Sequence, residues 1–340
     1  MILGVALGGP SPVVVAVGDG VPVTAAVRAC VAVDLDGVSR APVAAIRVGG
    51  PCPPALGPVA DPGVATIVRG GHSLTGRPLA PLDIEAVRRF AAGCGLTDFA
   101  VTATGSPMLA DHELAVAAAV AAEVPEARIT LSYEFGRPGL REREANAIRN
   151  AALGPEAGRI ADGVARELPG VPVYFARSDS GLVSAHYFRR FPLACDRGGT
   201  TGLLRGRAAL AEPTGSPGDR TAPAGTTGLS RDRADPGEPF VVVGAGGVAA
   251  GDGTVPDLVA AAYGAALARP EAQVERIVQA RGRAELDRAL QDAKDEALTR
   301  VVSAGAAPGH ARIAATTVNP LSYLPDGFYR VRVTAQGATP

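Results

Sequence analysis

Short apolar runs alternate with helix-patterned stretches along most of this chain, and that alternation constrains its fold more than any other feature. Ile2–Leu7 and Val13–Val17 read as β-branched-rich strands joined by the turn Gly8-Gly9-Pro10-Ser11-Pro12. Val23–Val33 reads as a further strand, followed by a Pro/Gly-broken stretch around Pro51–Pro62. Asp83 is placed to cap a helix running to about Ala92. Phe99–Thr104 has the short apolar run of a buried strand, and a helix is expected from about Asp111 to Glu123. Arg128–Ser132 and Val171–Ala176 read as strands, with two helices, Leu140–Leu153 and Pro155–Leu168, between them. Strands alternating with helices imply a mainly parallel sheet covered on both faces.

Between Ala211 and Pro239 the composition turns to Pro, Gly, Thr, Ser, Asp and Arg, so a mobile loop or linker is expected there. Beyond it, Phe240–Gly244 reads as a strand running into Gly244-Ala245-Gly246-Gly247, with a helix from Pro256 to about Leu267. A longer helix, Arg283 to Ala304, carries Leu286, Leu290, Ala293, Ala297 and Val301 on one face, with Gly305 as its stop. Two final strands are expected near Arg312–Val318 and Tyr329–Ala335.

With 340 residues the chain can hold two domains, each with its own core. The expected division is an N-terminal lobe of residues 1–177 and a C-terminal lobe of 178–340, the latter carrying the flexible segment 211–239. Hydrophobic residues make up 47% but aromatic ones only 4%, with no Trp, which argues against an aromatic-rich lectin or single-strand nucleic-acid binder. A net charge of −1 supplies no overall field for nucleic acid or anionic lipid. Met1 to Leu7 is apolar but short and lacks a basic flank, and no apolar run reaches the ~20 residues that span a bilayer. Cys30, Cys52, Cys94 and Cys195 form no CxxC pair, and His72, His112, His186 and His310 show no metal-ligand spacing. The expectation is a reduced, cytoplasmic setting without a metal centre.

Three glycine-rich turns are expected after strands: Gly8-Gly9, Gly198-Gly199-Thr200-Thr201 and Gly244-Ala245-Gly246-Gly247. Glycine at a strand end lets backbone N–H groups approach phosphate oxygens, because no Cβ stands in the way. Each taken singly is equally a tight turn.

Gly71-His72-Ser73-Leu74-Thr75-Gly76-Arg77-Pro78-Leu79 resembles the hydantoinase A/5-oxoprolinase family, as does Thr104-Gly105-Ser106-Pro107 followed by His112-Glu113-Leu114. Leu131-Ser132-Tyr133-Glu134 with Glu142-Arg143-Glu144-Ala145-Asn146-Ala147 is similar to that family's "LSHE…ERENA" signature, extended by Asn150-Ala151-Ala152-Leu153. Arg205-Gly206-Arg207-Ala208-Ala209-Leu210, Tyr263-Gly264-Ala265-Ala266 and Asn319-Pro320-Leu321-Ser322-Tyr323-Leu324-Pro325 resemble later family segments in the same order. The resemblance implies an α/β, actin-like (ribonuclease H-like) two-lobed fold, here with a trimmed second lobe. It also implies ATP with Mg²⁺ at two glycine-rich phosphate hairpins and a later glycine turn, cleavage of a small cyclic amide or imide, and often a partner subunit.

The departures bear on the nucleotide. Where the family has a DxGGT loop, this chain has Ala6-Leu7-Gly8-Gly9-Pro10, with no aspartate and no threonine. Two stretches compete for the second loop: Asp196-Arg197-Gly198-Gly199-Thr200-Thr201-Gly202, which keeps one aspartate, and Ala222-Pro223-Ala224-Gly225-Thr226-Thr227-Gly228, which keeps none. Mg²⁺ prefers carboxylate and water oxygens, and ATP cleavage needs positioned charge on the phosphates, so loss of these carboxylates implies altered or lost ATP use. The cofactor-binding candidates are therefore Gly8, Gly9, Asp196, Gly198, Gly199, Thr200, Thr201, Gly244, Gly246 and Gly247.

For acid–base work the candidates are Glu134 at a strand end, His112 at a helix start and Asp179 in the Ser178-Asp179-Ser180-Gly181 turn. His112 has a plainer reading as a helix-entry hydrogen bond, while Glu142, Arg143, Glu144 and Asn146 read either as a solvated helix face with an Arg–Glu pair or as an inward Glu and Asn that fix the neighbouring loops. Cys195 reads as a buried thiol, since nothing in the sequence supplies it with a base. The expected function is a hydantoinase-like amide-bond hydrolase acting on a small cyclic amide or imide. The alternatives are an inactive family member that stabilises a partner enzyme, and a nucleotide-independent binding protein for a small metabolite. A partner subunit or a homodimer is compatible with each.

Overall fold

A computed structural model describes residues 2–9, 12–17, 26–50, 52–135, 139–179, 181–211, 240–243, 256–322 and 327–338. In chain order its elements are β1 (Ile2–Ala6), β2 (Val13–Val17), β3 (Arg28–Ala32), β4 (Val43–Val48), β5 (Gly63–Val68), α1 (Ile84–Cys94), β6 (Asp98–Ala103), α2 (Asp111–Glu123) and β7 (Arg128–Leu131). They continue with α3 (Leu140–Glu167), β8 (Val173–Ala176), β9 (Gly181–Ser184), α4 (Ala185–Arg190), α5 (Gly198–Ala211), β10 (Phe240–Val243) and α6 (Asp257–Ala266). The last are β11 (Arg269–Gln279), α7 (Arg283–Ser303), β12 (Ala311–Pro320) and β13 (Phe328–Gly337). The glycine turn at Gly244, Gly246 and Gly247, the Ala222–Gly228 stretch, Tyr323 to Pro325, and all of the 211–239 segment but Ala211 lie outside the described residues.

The chain forms two compact units, interleaved along the sequence. Unit 1 comprises residues 1–36, 164–185 and 195–269; unit 2 comprises 37–163, 186–194 and 270–340. The boundary expected after residue 177 divides the chain differently. Periodicity identifies elements, but not which of them pack together.

In unit 1 the strand order is β10-β2-β1-β3-β8-β9. β1 pairs antiparallel with β2, as a short hairpin dictates, and parallel with β3, which in turn runs parallel to β8. Side chains alternate across the strands. Ala6, Cys30 and Ala32 meet Val259, Ala262 and Ala265 of α6 on one face, and Leu3 and Ala29 pack with Leu168 and Val171 on the other. α5 lies so close to α6 that a Cβ on Gly206 would sit 1.9 Å from the Ala260 carbonyl oxygen, and one on Gly264 1.9 Å from that of Gly202. Only glycine fits there.

In unit 2 four strands run parallel in the order β5-β4-β6-β7. Their two-residue alternation sorts the side chains. Ile46, Val48, Phe99 and Val101 pack against Val87 and Ala91 of α1 and Val116 and Val120 of α2, while Val43 and Ala100 pack against Ala147, Ala151 and Ala152 of α3. Burial of each large apolar side chain is worth about 1.5–3 kcal/mol, so both faces hold the sheet. Asp83 caps α1 as expected, its carboxylate accepting the Ala86 N–H at 3.0 Å. α3 is one continuous helix rather than two. Pro155 removes one helical hydrogen bond there, but buried Ala151, Ala152, Leu153 and Ala157 on either side of it carry the helix through. In the same unit α7 lays its apolar face, including Ala293, Ala297 and Val301, on β11 and β13.

Candidate active site

Every segment that leaves a carboxyl end of the parallel sheet in unit 2 carries a glycine, a histidine or a hydroxyl group. Gly49-Gly50 follows β4, Gly70-Gly71-His72 follows β5, Thr104-Gly105-Ser106 follows β6, and Ser132-Tyr133-Glu134 follows β7. The order β5-β4-β6-β7 reverses direction between β4 and β6. In open parallel sheets ligands collect in the crevice outside the strand ends at such a reversal.

The segment after β5 folds across the end of β4 to reach β6: the His72 N–H donates to the Thr104 carbonyl at 2.9 Å, and the Gly49 N–H to the Val68 carbonyl at 3.0 Å. This crossing needs glycine. Gly70 and Gly71 have φ of +150° and +90°, and a Cβ on Gly70 would lie 2.6 Å from Val48 Cγ1. The crossing places His72 against His112, with ring centroids 4.1 Å apart. His112 Nδ1 accepts the Gly71 N–H at 2.8 Å, which fixes the neutral His112 ring with its proton on Nε2. Burial, then the neighbouring His72, hold the His112 pKa below its ordinary value, against a smaller opposing pull from Asp111. His72 is 3% exposed, and its Nδ1 has no hydrogen-bond partner among the described residues.

Beneath the two histidines lies a polar frame. Glu113 is fully buried and accepts the Ala103 N–H at 2.8 Å, the Ser132 hydroxyl at 2.6 Å and the Tyr133 N–H at 3.1 Å. Arg143, 1% exposed, donates to the Ala103 carbonyl at 3.0 Å and contacts the Ser106 and Ser132 hydroxyls at 3.3 and 3.4 Å. Burial pushes the Glu113 carboxyl up from its usual range, opposed by its donors, and pushes the Arg143 guanidinium down, opposed by the charge of Glu113. A carboxylate and a guanidinium joined through two serines thus tie the ends of β6 and β7 to α2 and α3. Alongside, Arg47 Nε donates to Glu144 at 2.7 Å. Arg143 and Glu144 therefore point inward, while Glu142 is exposed.

Of the three expected acid–base residues, His112 and Glu134 belong to this sheet edge, and no hydrogen bond joins them among the described residues. Glu134 is held by Arg190 at 2.9 Å. Asp179 belongs to unit 1, where it pairs with Arg177 at 2.5 Å. His72, Glu113 and Arg143 stand in the family-like segments, but only the topology shows that they form one constellation. Cys195 is buried, and burial raises its thiol pKa far above the usual range.

The cofactor candidates of unit 1 have a different environment. Gly198 to Thr201 open α5 rather than a turn after a strand. Their amides are already engaged: Gly199 N–H with the Val33 carbonyl at 2.9 Å, Thr200 N–H with Asp34 Oδ1 at 3.0 Å, and Thr201 N–H with the Arg197 carbonyl at 3.0 Å. The Thr200 hydroxyl donates to Asp34 Oδ2 at 2.9 Å. A side-chain carboxylate sits where a phosphate oxygen would have to sit, so the start of α5 does not fit as a phosphate cradle. Asp196 accepts the Ser178 hydroxyl at 2.8 Å. Gly8 and Gly9 remain exposed at the end of β1. Among the described residues no three His, Cys, Asp or Glu side chains gather as a metal-ligand set, and no helix is long and apolar enough to cross a membrane.

No family model matches the sequence, and no curated protein matches it. Among solved structures, the ATP-dependent caprolactamase from Pseudomonas jessenii is similar over 93% of this chain and 80% of its own, with a TM-score of 0.63 at 12% identity. A nucleotide-free acetone carboxylase matches 44% of this chain and 22% of its own, with a TM-score of 0.37 at 17% identity. The likeness to the caprolactamase is one of fold: the α/β, actin-like class expected from the sequence is the class of this chain.

Proposed function

We propose that this protein is a hydantoinase-like hydrolase that opens a small cyclic amide or imide, with its dependence on ATP altered or lost. The observation that carries the proposal is the meeting of all the family-like segments between Gly71 and Arg143 at one carboxyl edge of the parallel sheet, around His72 and His112. The fold it shares with an enzyme named for caprolactam, a cyclic amide, supports the same substrate class. Ring opening adds water across the C–N bond, placing hydroxyl on the carbonyl carbon and a proton on the leaving nitrogen. The Nε2–H of neutral His112 is the donor for the carbonyl oxygen as negative charge builds there. Glu134, on the segment after β7, is assigned to carry the proton from water to nitrogen. Altered ATP use is supported by Ala6 at the first loop and by the amides at the start of α5, which are spent on Asp34 and on the Val33 and Arg197 carbonyls.

The test is turnover of hydantoin, 5-oxoproline and caprolactam by the purified chain, with and without ATP and Mg²⁺, following ring-opened product and ADP. Ring opening that falls by about a hundredfold in Glu134→Gln supports the assignment. No ring opened under any condition contradicts it. The inactive-subunit reading is favoured by one observation: Glu134 and Asp179 are both held in ion pairs. It predicts no turnover by the chain alone and stabilisation of a second protein.

A further inference from the structure

The histidine pair holds one fixed donor and one unanswered atom. His112 gives up Nδ1 to the Gly71 N–H at 2.8 Å, so its outward-going function is the Nε2–H. His72, tilted by 38° against it with ring centroids 4.1 Å apart, has a buried Nδ1 that nothing satisfies among the described residues. An unsatisfied buried polar atom costs about 1–3 kcal/mol, a cost that a ligand can remove. A cyclic amide carries its C=O and N–H on adjacent atoms and on the same side, because the ring holds the amide cis. Once His112 Nε2–H takes the carbonyl, the group left beside it is an N–H, and the partner that this needs is a lone pair. His72 with its proton on Nε2 offers that lone pair at Nδ1, which is buried in this structure, so engagement by a ligand requires the ring to move.

We infer that His72 and His112 together read the cis-amide edge of the substrate, His112 Nε2–H donating to the carbonyl oxygen and His72 Nδ1 accepting the ring N–H. This rests on the cyclic-amide reading above and narrows it: the site takes secondary lactams and imides and rejects N-alkylated ones. The pair is also a filter against lactones, which have no N–H to donate.

The experiment compares caprolactam with N-methylcaprolactam by calorimetric binding and by ring opening, in wild type, His72→Leu and His112→Asn. Wild type is expected to favour caprolactam by about tenfold, the worth of one neutral hydrogen bond. His72→Leu should abolish that preference, bringing caprolactam down to the level of the N-methyl compound. His112→Asn keeps an oxygen for the Gly71 N–H but loses the Nε2 donor, so it should weaken both compounds alike and keep the preference. Far-ultraviolet circular dichroism and thermal unfolding verify that each variant is folded, and His72→Asn, which restores an acceptor near Nδ1, should recover the preference if His72→Leu is unstable. Equal wild-type affinity for the two lactams, or a preference that survives in His72→Leu, overturns the inference while leaving amide hydrolysis standing. Failure of wild type to bind or open any of caprolactam, hydantoin or 5-oxoproline overturns the hydrolase reading itself, and this inference with it.

Discussion

The two units present parallel strand ends of similar sequence character but opposite chemical availability. At the carboxyl edge of β1 and β3 in unit 1, Asp34 follows β3 by two residues as Gly8 follows β1, and the two strands pair in parallel register. That carboxylate is spent on the Thr200 N–H and hydroxyl at the start of α5. At the carboxyl edge of β5, β4, β6 and β7 in unit 2, the buried charges also satisfy one another, but as a frame below the surface. Above that frame His112 Nε2–H and His72 Nδ1 are left without protein partners among the described residues. Glycine-rich strand ends are therefore an incomplete signal. A site exists where the neighbouring side chains leave groups over, and at the start of α5 Asp34 takes up the Thr200 donors.

The strongest way to break this contrast is to remove the frame. Arg143→Met leaves the Glu113 carboxylate buried without its cation, and should destabilise the protein by about 3–5 kcal/mol in urea unfolding. Adding Glu113→Gln to that variant should recover part of the loss. A small effect of Arg143→Met alone would mean that Glu113 does not need the guanidinium. Next in size is Gly264→Ala, whose Cβ meets the Gly202 carbonyl oxygen at 1.9 Å. Overpacking of that kind costs about 1–3 kcal/mol, read by the same measurement.

Asp34→Ala should cost about 1 kcal/mol, the usual worth of a helix cap. It also sharpens the comparison, because calorimetry with ATP and Mg²⁺ on this variant tests whether Asp34 is what keeps the α5 amides from an anion. The smallest effect is the pH dependence from His112. Its folded pKa lies below the ordinary 6.5. Above pH 6.5 both states are neutral and the contribution to stability is fully present. As pH falls through 6.5 toward the folded pKa, the unfolded chain takes up the proton first and the contribution is lost. His112→Asn should flatten that part of the stability profile.

Much of the fold is legible from local signals. Asp83 and the apolar run after it announce α1, and Leu286, Leu290, Ala293, Ala297 and Val301 announce the buried stripe of α7. β4 is not legible, because Val43–Val48 mixes alanines with an arginine that only a partner 97 residues away, Glu144, makes tolerable. The start of α5 reads as a turn because Gly198 and Gly199 answer to the Ala176 carbonyl and to Asp34, which lies 166 residues before Thr200 and caps the helix. β5 starts with an exposed half and carries little alternation. At the candidate site the family-like segments are visible one by one. His112 is indicated by its place at a helix start, and His72 is not, since its meaning depends on a strand that the pattern does not reveal and on the crossing over β4. Glu134 and Asp179 read as a strand-end and a turn carboxylate, and sequence does not reveal that Arg190 and Arg177 hold them.

The central claim, that unit 2 leaves two imidazole groups without protein partners among the described residues and so available to an amide, is tested most directly by nitrogen-15 spectra of the histidine rings. At pH 7 His112 should appear as a neutral ring protonated on Nε2, and addition of caprolactam should shift His112 Nε2 and His72 Nδ1 while His186 and His310 stay in place. A His112 ring protonated on Nδ1, or a titration in which neither His72 nor His112 responds, would contradict the account.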